Sequence, residues 1–268
     1  MDQTVLIHEK QGIAFITLNR PDSLNAMDLG VLERLSRLLD EAGANQAVKA
    51  VIITGSGNRA FSAGADVGFL NRATAFEVRE FARLAVSINH KIETLGKVVV
   101  AALNGFALGG GLEMAESCTI RIAGHTAQLG HPEVRIGSVA GLGGTTRLPR
   151  LVGKGRAAEL LLRGRIVTAD EALQIGWVQS VVQAENLLGE TEAMVREILA
   201  LSPIAVKLTW EALHRGLNMT LEESALLGAD YFGLAASTDD FRAGSKVSSK
   251  RRRLHSPDGS SKGAERYR

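Results

Sequence analysis

Apolar residues alternate with polar ones at the start of the chain and then recur in uninterrupted runs. The alternating positions 5–7 and 13–16 flank the turn-forming segment 10–12, which predicts an opening β-hairpin. The runs 50–54 and 98–102 contain almost only apolar residues, and they are followed by Gly55 and by Leu103-Asn104. Such runs are typical of strands that are buried on both faces.

Helical spacing of the apolar positions follows each of these runs. The leucines of segment 29–39 share one helical face, and segment 76–95 is a long amphipathic helix. Further helices are expected near 109–117, 155–163, 169–175, 186–200, 203–215 and 220–235. Strands alternate with helices up to about residue 200, and the last two helices follow each other without a strand. This order predicts an α/β fold with a helical C-terminal subdomain.

Together with this order of elements, composition and charge divide the chain into three predicted regions. Charged residues make up 22% and hydrophobic residues 45% of the chain, and the net charge is only +2, so the overall balance indicates no particular partner. Residues 245–268 nevertheless carry eight Lys or Arg against two acidic residues. We therefore expect a core over residues 1–199, a helical subdomain over 200–244 and a basic, disordered tail over 245–268.

Several classes of protein are disfavoured. No run of about 18 apolar residues occurs, so no membrane span is expected. The absence of a targeting segment before the first strand favours a cytoplasmic protein. Cys118 is the only cysteine and adjoins a predicted strand, which indicates a buried, inert thiol and no disulfide framework. His90 and His125 lack metal-ligand spacing, so no metal is expected.

Two glutamates accompany glycine-rich segments. Glu113 follows Gly109-Gly110-Gly111-Leu112, and Glu133 is followed by glycines at 137, 141, 143 and 144. Three glycines that open a helix cost roughly 2–3 kcal/mol relative to alanine, so packing alone is a weak explanation for them. They leave backbone N–H groups accessible to an anionic oxygen. Either glutamate alone would also suit a surface or salt-bridged residue.

A second loop completes the pattern. Segment 61–66 follows the strand at 50–54 and would by itself be an ordinary turn. Together with the glycines at 109–111 it provides a second N–H donor to the same oxygen, as an oxyanion hole requires. Two carboxyl groups next to such a hole suit proton transfer beside a stabilised anion.

These motifs resemble those of the crotonase superfamily, and within it the enoyl-CoA hydratases. The resemblance spans residues 4 to about 244. It is carried by segments 19–21, 24–26, 61–66, 104–113, 131–137, 143–150 and 169–178. It implies a crotonase-like spiral ββα core with a C-terminal helical trimerisation region. It also implies a homotrimer, or a homohexamer built from two trimers.

The resemblance also implies roles for individual residues. The backbone N–H groups of Ala65 and Gly110 would form the oxyanion hole, and Glu113 and Glu133 would be the catalytic residues. Coenzyme A would be contacted, largely through backbone, by Leu24, Ala26, Ala63, Ala65, Asp66, Val67 and Gly110. No cofactor is expected, because coenzyme A is part of the substrate.

The implied reaction is syn addition of water to a 2-trans-enoyl-CoA, which gives a 3-hydroxyacyl-CoA. We expect Glu113 to activate the water and Glu133 to protonate C2. Because both share one water, this division stays open. A sibling reaction is an alternative, either double-bond isomerisation or hydration of a dienoyl or cyclic acyl-CoA. Residues near 67–90 and 139–142 would decide between them.

A remote alternative is an RNA-binding homologue, and only the basic segment 250–253 supports it. Solvated basic tails are the usual explanation of such a run, so neither nucleic acid nor a membrane is an expected partner. After Gly244 the chain also lacks the aromatic residue that helps many family members to bind coenzyme A. This departure predicts weaker binding.

Three further features had alternative interpretations. Glu116 is predicted to be a surface or ion-paired residue rather than a third catalytic acid. His131 stands where related hydratases often carry Gln, and either hydrogen-bonds Glu133 or serves packing. Segment 141–144 lacks the Lys-Ser or Lys-Thr of a phosphate-binding loop and is expected to form a backbone wall near Glu133.

Overall fold

The computed structural model describes residues 3–254, with side chains up to residue 246. The chain divides into two compact units, and the division falls between Leu199 and Ala200. The strands are β1 (Val5–Lys10), β2 (Ile13–Leu18), β3 (Ala50–Gly55), β4 (Ala60–Ser62), β5 (Val98–Leu103), β6 (Phe106–Leu108), β7 (Ile120–Gly124), β8 (Gln128–Gly130), β9 (Ile166–Thr168) and β10 (Ser180–Val182). The helices of the first unit are α1 (Leu29–Ala44), α2 (Val67–Leu70), α3 (Ala75–Glu93), α4 (Gly110–Ser117), α5 (Gly144–Val152), α6 (Lys154–Arg163), α7 (Ala169–Gln174) and α8 (Leu187–Leu199).

A six-stranded sheet in the order β1-β2-β3-β5-β7-β10 is the frame of the first unit. Strands β1 and β2 form the predicted hairpin and are joined at Gln11 and Gly12, whose φ angles are 49° and 82°. Positive φ at both central residues gives the tight turn that matches strand twist. The other neighbours pair in parallel, and every residue of β3 and β5 is buried. This burial explains the apolar runs in the sequence.

A second sheet, in the order β4-β6-β8-β9, receives the chain alternately with the first. Strands β3, β5 and β7 lie in the large sheet, and β4, β6 and β8, which follow them directly, lie in the small one. This repetition is the spiral ββα core, as expected. Because β4, β6 and β8 are parallel, the segments after Ser62, Leu108 and Gly130 leave the same edge. The motifs around residues 65, 110 and 133 are thereby brought together.

Helices pack their apolar faces on these sheets. The buried side of α1 contains the leucines that the periodicity predicted, and α3 buries an equivalent stripe: Leu32, Leu35, Leu38 and Leu39, then Phe81, Ala85, Ile88 and Ile92. A fully buried side chain of this size contributes about 1.5–3 kcal/mol by leaving water. Cys118 is also buried, and burial raises the pKa of its thiol to about 12, which agrees with an inert cysteine.

The described part of the second unit consists of helices α9 (Pro203–Gly216), α10 (Leu221–Ala236) and α11 (Asp239–Leu254). Ser202 caps α9 immediately before Pro203, and Thr220 caps α10. These residues satisfy backbone N–H groups that a helix start leaves without partners. No helix among residues 3–254 is long and apolar enough to cross a lipid bilayer.

Helix α11 continues to Leu254 and so includes residues 245–254 of the segment for which a disordered tail is predicted. The charge of this segment suggested disorder, but Lys and Arg are good helix formers, and no Gly or Pro interrupts it. Basic residues near a helix C-terminus also interact favourably with the helix dipole. The predicted disorder of residues 255–268 concerns residues that lie outside the described part of the chain.

Asn25 ties the N-terminal segment to the loop before β4. Its side chain is 2% exposed and donates hydrogen bonds to the carbonyl oxygens of Ala60, at 2.7 Å, and Ser56, at 3.1 Å. Its Oδ1 accepts the backbone N–H of Arg20 at 2.9 Å. Asn25 also has a positive φ of 55°, which asparagine tolerates better than most residues.

We predict that Asn25→Ala destabilises the fold by about 2–3 kcal/mol, because it removes three hydrogen bonds of a buried side chain, those with Ala60, Ser56 and Arg20. Urea denaturation at fixed protein concentration measures this difference. The exposed Asn58→Ala is the matched control and should change the free energy of unfolding by less than about 0.5 kcal/mol. Equal stabilities of the two variants would refute this role of Asn25.

Candidate active site

Two backbone amides meet where the loop after β4 passes the start of α4. Gly110 is the first residue of α4, so its N–H has no partner within the helix. A Cβ atom built on Gly110 would lie 3.7 Å from the nitrogen of Ala65, and one built on Gly64 would lie 3.0 Å from the nitrogen of Gly110. Among residues 3–254, neither the Ala65 nor the Gly110 amide donates to another protein group. Two free donors at one place suit a single anionic oxygen.

Steric contacts explain why glycines flank Gly110. Gly109 has a φ of 49°, and a Cβ there would lie 3.0 Å from Oε1 of Glu133. A Cβ on Gly111 would lie 2.5 Å from the carbonyl oxygen of Ser62, a separation that real Cβ atoms essentially never show. The glycines therefore allow both the close packing of backbone and the exposure of the amides.

Glu113 lies one turn into α4 and is buried, with 1% of its surface exposed. Its Oε1 accepts the backbone N–H groups of Leu142 and Gly144, each at 2.7 Å. Burial raises the pKa of Glu113 to about 7, although the Gly144 hydrogen bond and the charge of His131 oppose the rise. A carboxyl group with this pKa can exchange a proton near neutral pH.

Glu133 follows β8 and begins a short 3-10 helix, Glu133–Ile136. Both of its side-chain oxygens are buried, and neither has a hydrogen-bond partner among the described residues. Its Oε1 lies 3.8 Å from Nδ1 of His131, which is too long for a hydrogen bond. The close approach to Gly109 places it beside the two free amides. Its oxygens are thus available to a ligand or a proton.

A cavity of about 240 Å³ opens beside Glu133. Apart from His131, Glu133 and Thr145 its walls are apolar: Val134, Val139, Ala140, Ala158, Leu161 and Leu162. The expectation that residues 139–142 line a pocket agrees with Val139 and Ala140. No residue of 67–90 lines this cavity, and the walls from α6 were not anticipated from the sequence.

The two segments expected to contact coenzyme A run side by side. The N–H of Ala63 donates to the carbonyl of Leu24 at 2.9 Å, and the N–H of Met27 donates to that of Gly64 at 2.8 Å. Met27 and Ala65 form an isolated parallel bridge. Leu24 and Ala26 therefore lie next to the loop that contains Ala65.

Asp66 ends this loop and caps α2. Its Oδ1 accepts the N–H of Phe69, and its Oδ2 forms a 3.0 Å ion pair with Arg20. The Phe69 N–H, and after it Arg20, holds the pKa of Asp66 below its usual range despite partial burial. Asp66 thus fixes the loop, whereas the neighbouring Val67 is exposed.

Comparison with known proteins agrees with this geometry. A family model described as enoyl-CoA hydratase/isomerase matches residues 8–255. The chain belongs to the enoyl-CoA hydratase/isomerase family. It is 40% identical to the crotonyl-CoA hydratase of Syntrophomonas wolfei over 242 residues, which cover 90% of this chain and 93% of that protein. It is 40% identical to the short-chain-enoyl-CoA hydratase of Clostridium acetobutylicum over 241 residues, 90% of this chain and 92% of that protein.

A solved structure confirms the fold of this family member. The crystal structure of an enoyl-CoA hydratase from Bacillus anthracis superposes with a TM-score of 0.89 at 33% identity. The match covers 93% of this chain and 97% of that one. The crotonase-like architecture and the family resemblance are thereby confirmed, while the roles of individual residues in this chain stay predictions.

A buried cluster behind Glu133 was not anticipated from the sequence. Oε1 of Glu116 lies 2.9 Å from Nε2 of His131 and accepts the indole N–H of Trp177 at 3.0 Å. Glu116 is only 5% exposed, so its interpretation as a surface residue is wrong and the ion-paired alternative is correct. The i,i+3 spacing of Glu113 and Glu116 on α4 was the available signal, because it places both on one face.

His131 forms its hydrogen bond with Glu116, not with Glu133 as one alternative held. Its ring also packs against Trp177, at 5.7 Å between ring centroids, so packing and polar contact occur together. Within residues 3–246, no group of three or more His, Cys, Asp or Glu side chains is arranged to hold a metal ion.

The raised pKa of Glu113 predicts a pH-dependent stability. Between pH 4.5 and about 7 the folded protein keeps a proton on Glu113 that the unfolded chain has lost, so stability falls as pH rises through this window. Glu113→Gln removes the buried charge and keeps an acceptor for both amides. We expect the stability of this variant relative to wild type to increase by about 2.5 kcal/mol from pH 5 to pH 8.

Urea unfolding at both pH values measures this difference. Glu190→Gln, at an exposed position of α8, is the matched control and should show no such pH dependence. A difference between Glu113→Gln and wild type that does not change with pH would contradict the buried, proton-exchanging state of Glu113.

Proposed function

We propose that the chain is an enoyl-CoA hydratase that adds water, with syn geometry, to a 2-trans-enoyl-CoA and releases a 3-hydroxyacyl-CoA. The observation that carries the proposal is the position of two glutamates, Glu113 and Glu133, beside two amides that lack protein acceptors. The relatives named crotonyl-CoA hydratase and short-chain-enoyl-CoA hydratase support the same reaction.

Stabilisation of charge on the thioester oxygen is the first requirement of this chemistry. Water adds poorly to an unactivated alkene, but a conjugated thioester lets negative charge collect on its oxygen as an enolate. The N–H groups of Ala65 and Gly110 bind this oxygen in our proposal. A donor of this kind contributes about 3 kcal/mol to transition-state stabilisation in comparable sites.

Two proton transfers complete the addition. Glu113 accepts a proton from water as the water oxygen bonds to C3, and its two amide contacts hold it in place for this task. Glu133 donates a proton to C2, so that the enolate collapses to the saturated thioester. Glu113 then carries the proton that Glu133 has lost, and exchange with solvent restores both. In this scheme the two groups act on the same water molecule.

The substrate is an acyl-CoA thioester, and the reaction needs no cofactor beyond the coenzyme A that the substrate carries. The paired segments 24–26 and 63–67 support backbone contacts to coenzyme A next to Gly110. The apolar cavity beside Glu133 supports an acyl chain at that position.

We further propose a homotrimer or homohexamer assembled through the helical C-terminal subdomain. Large apolar side chains are exposed on α9, on α10 and at the end of α9: Leu213, Leu217, Leu221, Leu226, Phe232 and Leu234. Exposed apolar surface of this extent is typical of an interaction site.

A double-bond isomerase is the sibling reaction to exclude. It would need Glu133 to move a proton along the acyl chain but no carboxylate that activates water. The retention of Glu113, held by two amides in a buried position, favours the hydratase.

We predict that Glu133→Gln lowers kcat for crotonyl-CoA hydration by about 10²–10⁴-fold, because the amide cannot donate a catalytic proton to C2. The affinity for acyl-CoA should stay within a few-fold of wild type, since coenzyme A contacts lie elsewhere. Loss of the absorbance of the conjugated thioester measures turnover, and calorimetry with a saturated acyl-CoA measures binding. The control Glu190→Gln should match wild type, and hydration retained in Glu133→Gln would refute the assignment.

A further inference from the structure

The cluster of Glu116, His131 and Trp177 fixes the protonation of one imidazole nitrogen. The indole nitrogen of Trp177 can only donate, so Oε1 of Glu116 must accept. The same oxygen lies 2.9 Å from Nε2 of His131, and both side chains have zero exposure. A carboxylate that accepts from two donors is the simplest arrangement, and it places a proton on Nε2 of His131.

The opposite nitrogen of the same ring is directed at Glu133. Nδ1 of His131 is buried and has no hydrogen-bond partner among the described residues, and both oxygens of Glu133 share this condition. The two groups face each other at 3.8 Å between Nδ1 and Oε1. Buried polar atoms are rarely left without partners, so the pair indicates a charge interaction that a small movement converts into a hydrogen bond.

The other cations near this pair are engaged elsewhere. Arg147 of α5 binds Glu93 at 2.6 and 2.8 Å. Arg121 of β7 donates to the carbonyls of Trp177 and Cys118 and to Gln179. The carboxyl groups that face His131 are Glu113 and Glu116 on α4 and Glu133 on the 3-10 helix. Of these three basic side chains, His131 is the one that lies next to Glu133, at 3.8 Å.

We propose that His131 is a positioning residue that stabilises the anion of Glu133 as an imidazolium, and that Glu116 is the buried counter-charge that keeps His131 protonated. The proposal rests on the hydratase function proposed above. In that reaction Glu133 becomes an anion when its proton moves to C2. Glu113 has two amide donors for its charge, whereas Glu133 has none. The Nδ1–H of His131 supplies the missing interaction, and no proton leaves the imidazole.

The expected electrostatics agree with this assignment. Burial alone would lower the pKa of His131, but the charge and hydrogen bond of Glu116, and then Glu133, outweigh burial and raise it to about 10. His131 would accordingly remain an imidazolium across the pH range in which the enzyme works.

The first test does not depend on catalysis. In the full-length protein labelled with 15N-histidine, the resonances of His131 are assigned by their loss in His131→Gln, and the ring nitrogens are titrated by NMR. We expect both nitrogens of His131 to be protonated from pH 6 to pH 8, and Glu116→Gln to yield a ring that loses a proton within that range. A neutral His131 ring at pH 7 in wild type would overturn the proposal.

The second test reads the pH profile of kcat/KM. The pKa of Glu113 places its acid limb near pH 7. This limb should move up by about one pH unit in His131→Gln, because loss of a cation favours protonated carboxyl groups. Glu116→Gln removes an anion together with the cation that it keeps charged, so the limb should move less in that variant. The value of kcat should fall roughly ten- to hundredfold with little change in KM, below the loss expected for a group that transfers the proton itself.

His8→Gln, at an exposed position, is the matched control and should leave both kcat and the position of the acid limb unchanged. If His131→Gln lowered kcat but left the acid limb of the pH profile in place, its role would be merely structural and the proposal would be overturned. Wild-type values of both kcat and the acid limb in this variant would also overturn it. Absence of hydration by wild type would instead overturn the proposed function, and the NMR titration would still decide the state of His131.

Discussion

The close approach of the α4 N-terminus to the loop after β4 is the constraint on which the site depends. A Cβ atom on Gly111 would lie 2.5 Å from the carbonyl oxygen of Ser62, and one on Gly64 would lie 2.9 Å from that of Leu108. Only glycine allows the two backbones to come this close. The contact brings the amides of Ala65 and Gly110 close together, and the parallel strands β4 and β6 hold both segments at one edge of the small sheet.

Burial of three carboxyl groups around α4 carries a desolvation cost that the structure offsets in different ways. Glu113 is held by two backbone amides, and Glu116 by Trp177 and His131. Glu133 has no donor from the described residues, and it is also the group nearest to the apolar cavity. The three carboxyl groups therefore differ in the hydrogen bonds available to their charged forms, although they lie around the same helix.

Local sequence patterns predicted most of the helices and strands, because the spacing of apolar residues and glycines depends directly on the local backbone conformation. The leucine spacing of α1 and the apolar runs of β3 and β5 each follow from one periodicity, and the glycines at 109–111 marked the accessible helix start. The order of strands and helices along the chain and the family resemblance predicted the rest of the spiral core. Periodicity alone could not predict it.

The features that the sequence did not predict depend on contacts between residues distant in the chain, or on local effects that oppose each other. The partners of Glu116 are 15 and 61 residues away in sequence, so its burial could not be read from its neighbours. The cavity walls from α6 meet Glu133 only through tertiary packing. In residues 245–254 the charge favours disorder, whereas helix propensity favours the helix that the structure shows.

The most direct test of the central claim is isotope incorporation by the wild-type protein. Crotonyl-CoA is incubated with enzyme either in 18O-water or in deuterium oxide, and the product is analysed by mass spectrometry and NMR. The account predicts 3-hydroxybutyryl-CoA with 18O in the C3 hydroxyl in the first case and one deuterium at C2, added on the same face as the hydroxyl, in the second. Deuterium at C2 or C4 without oxygen incorporation would indicate proton transfer without hydration and would contradict it.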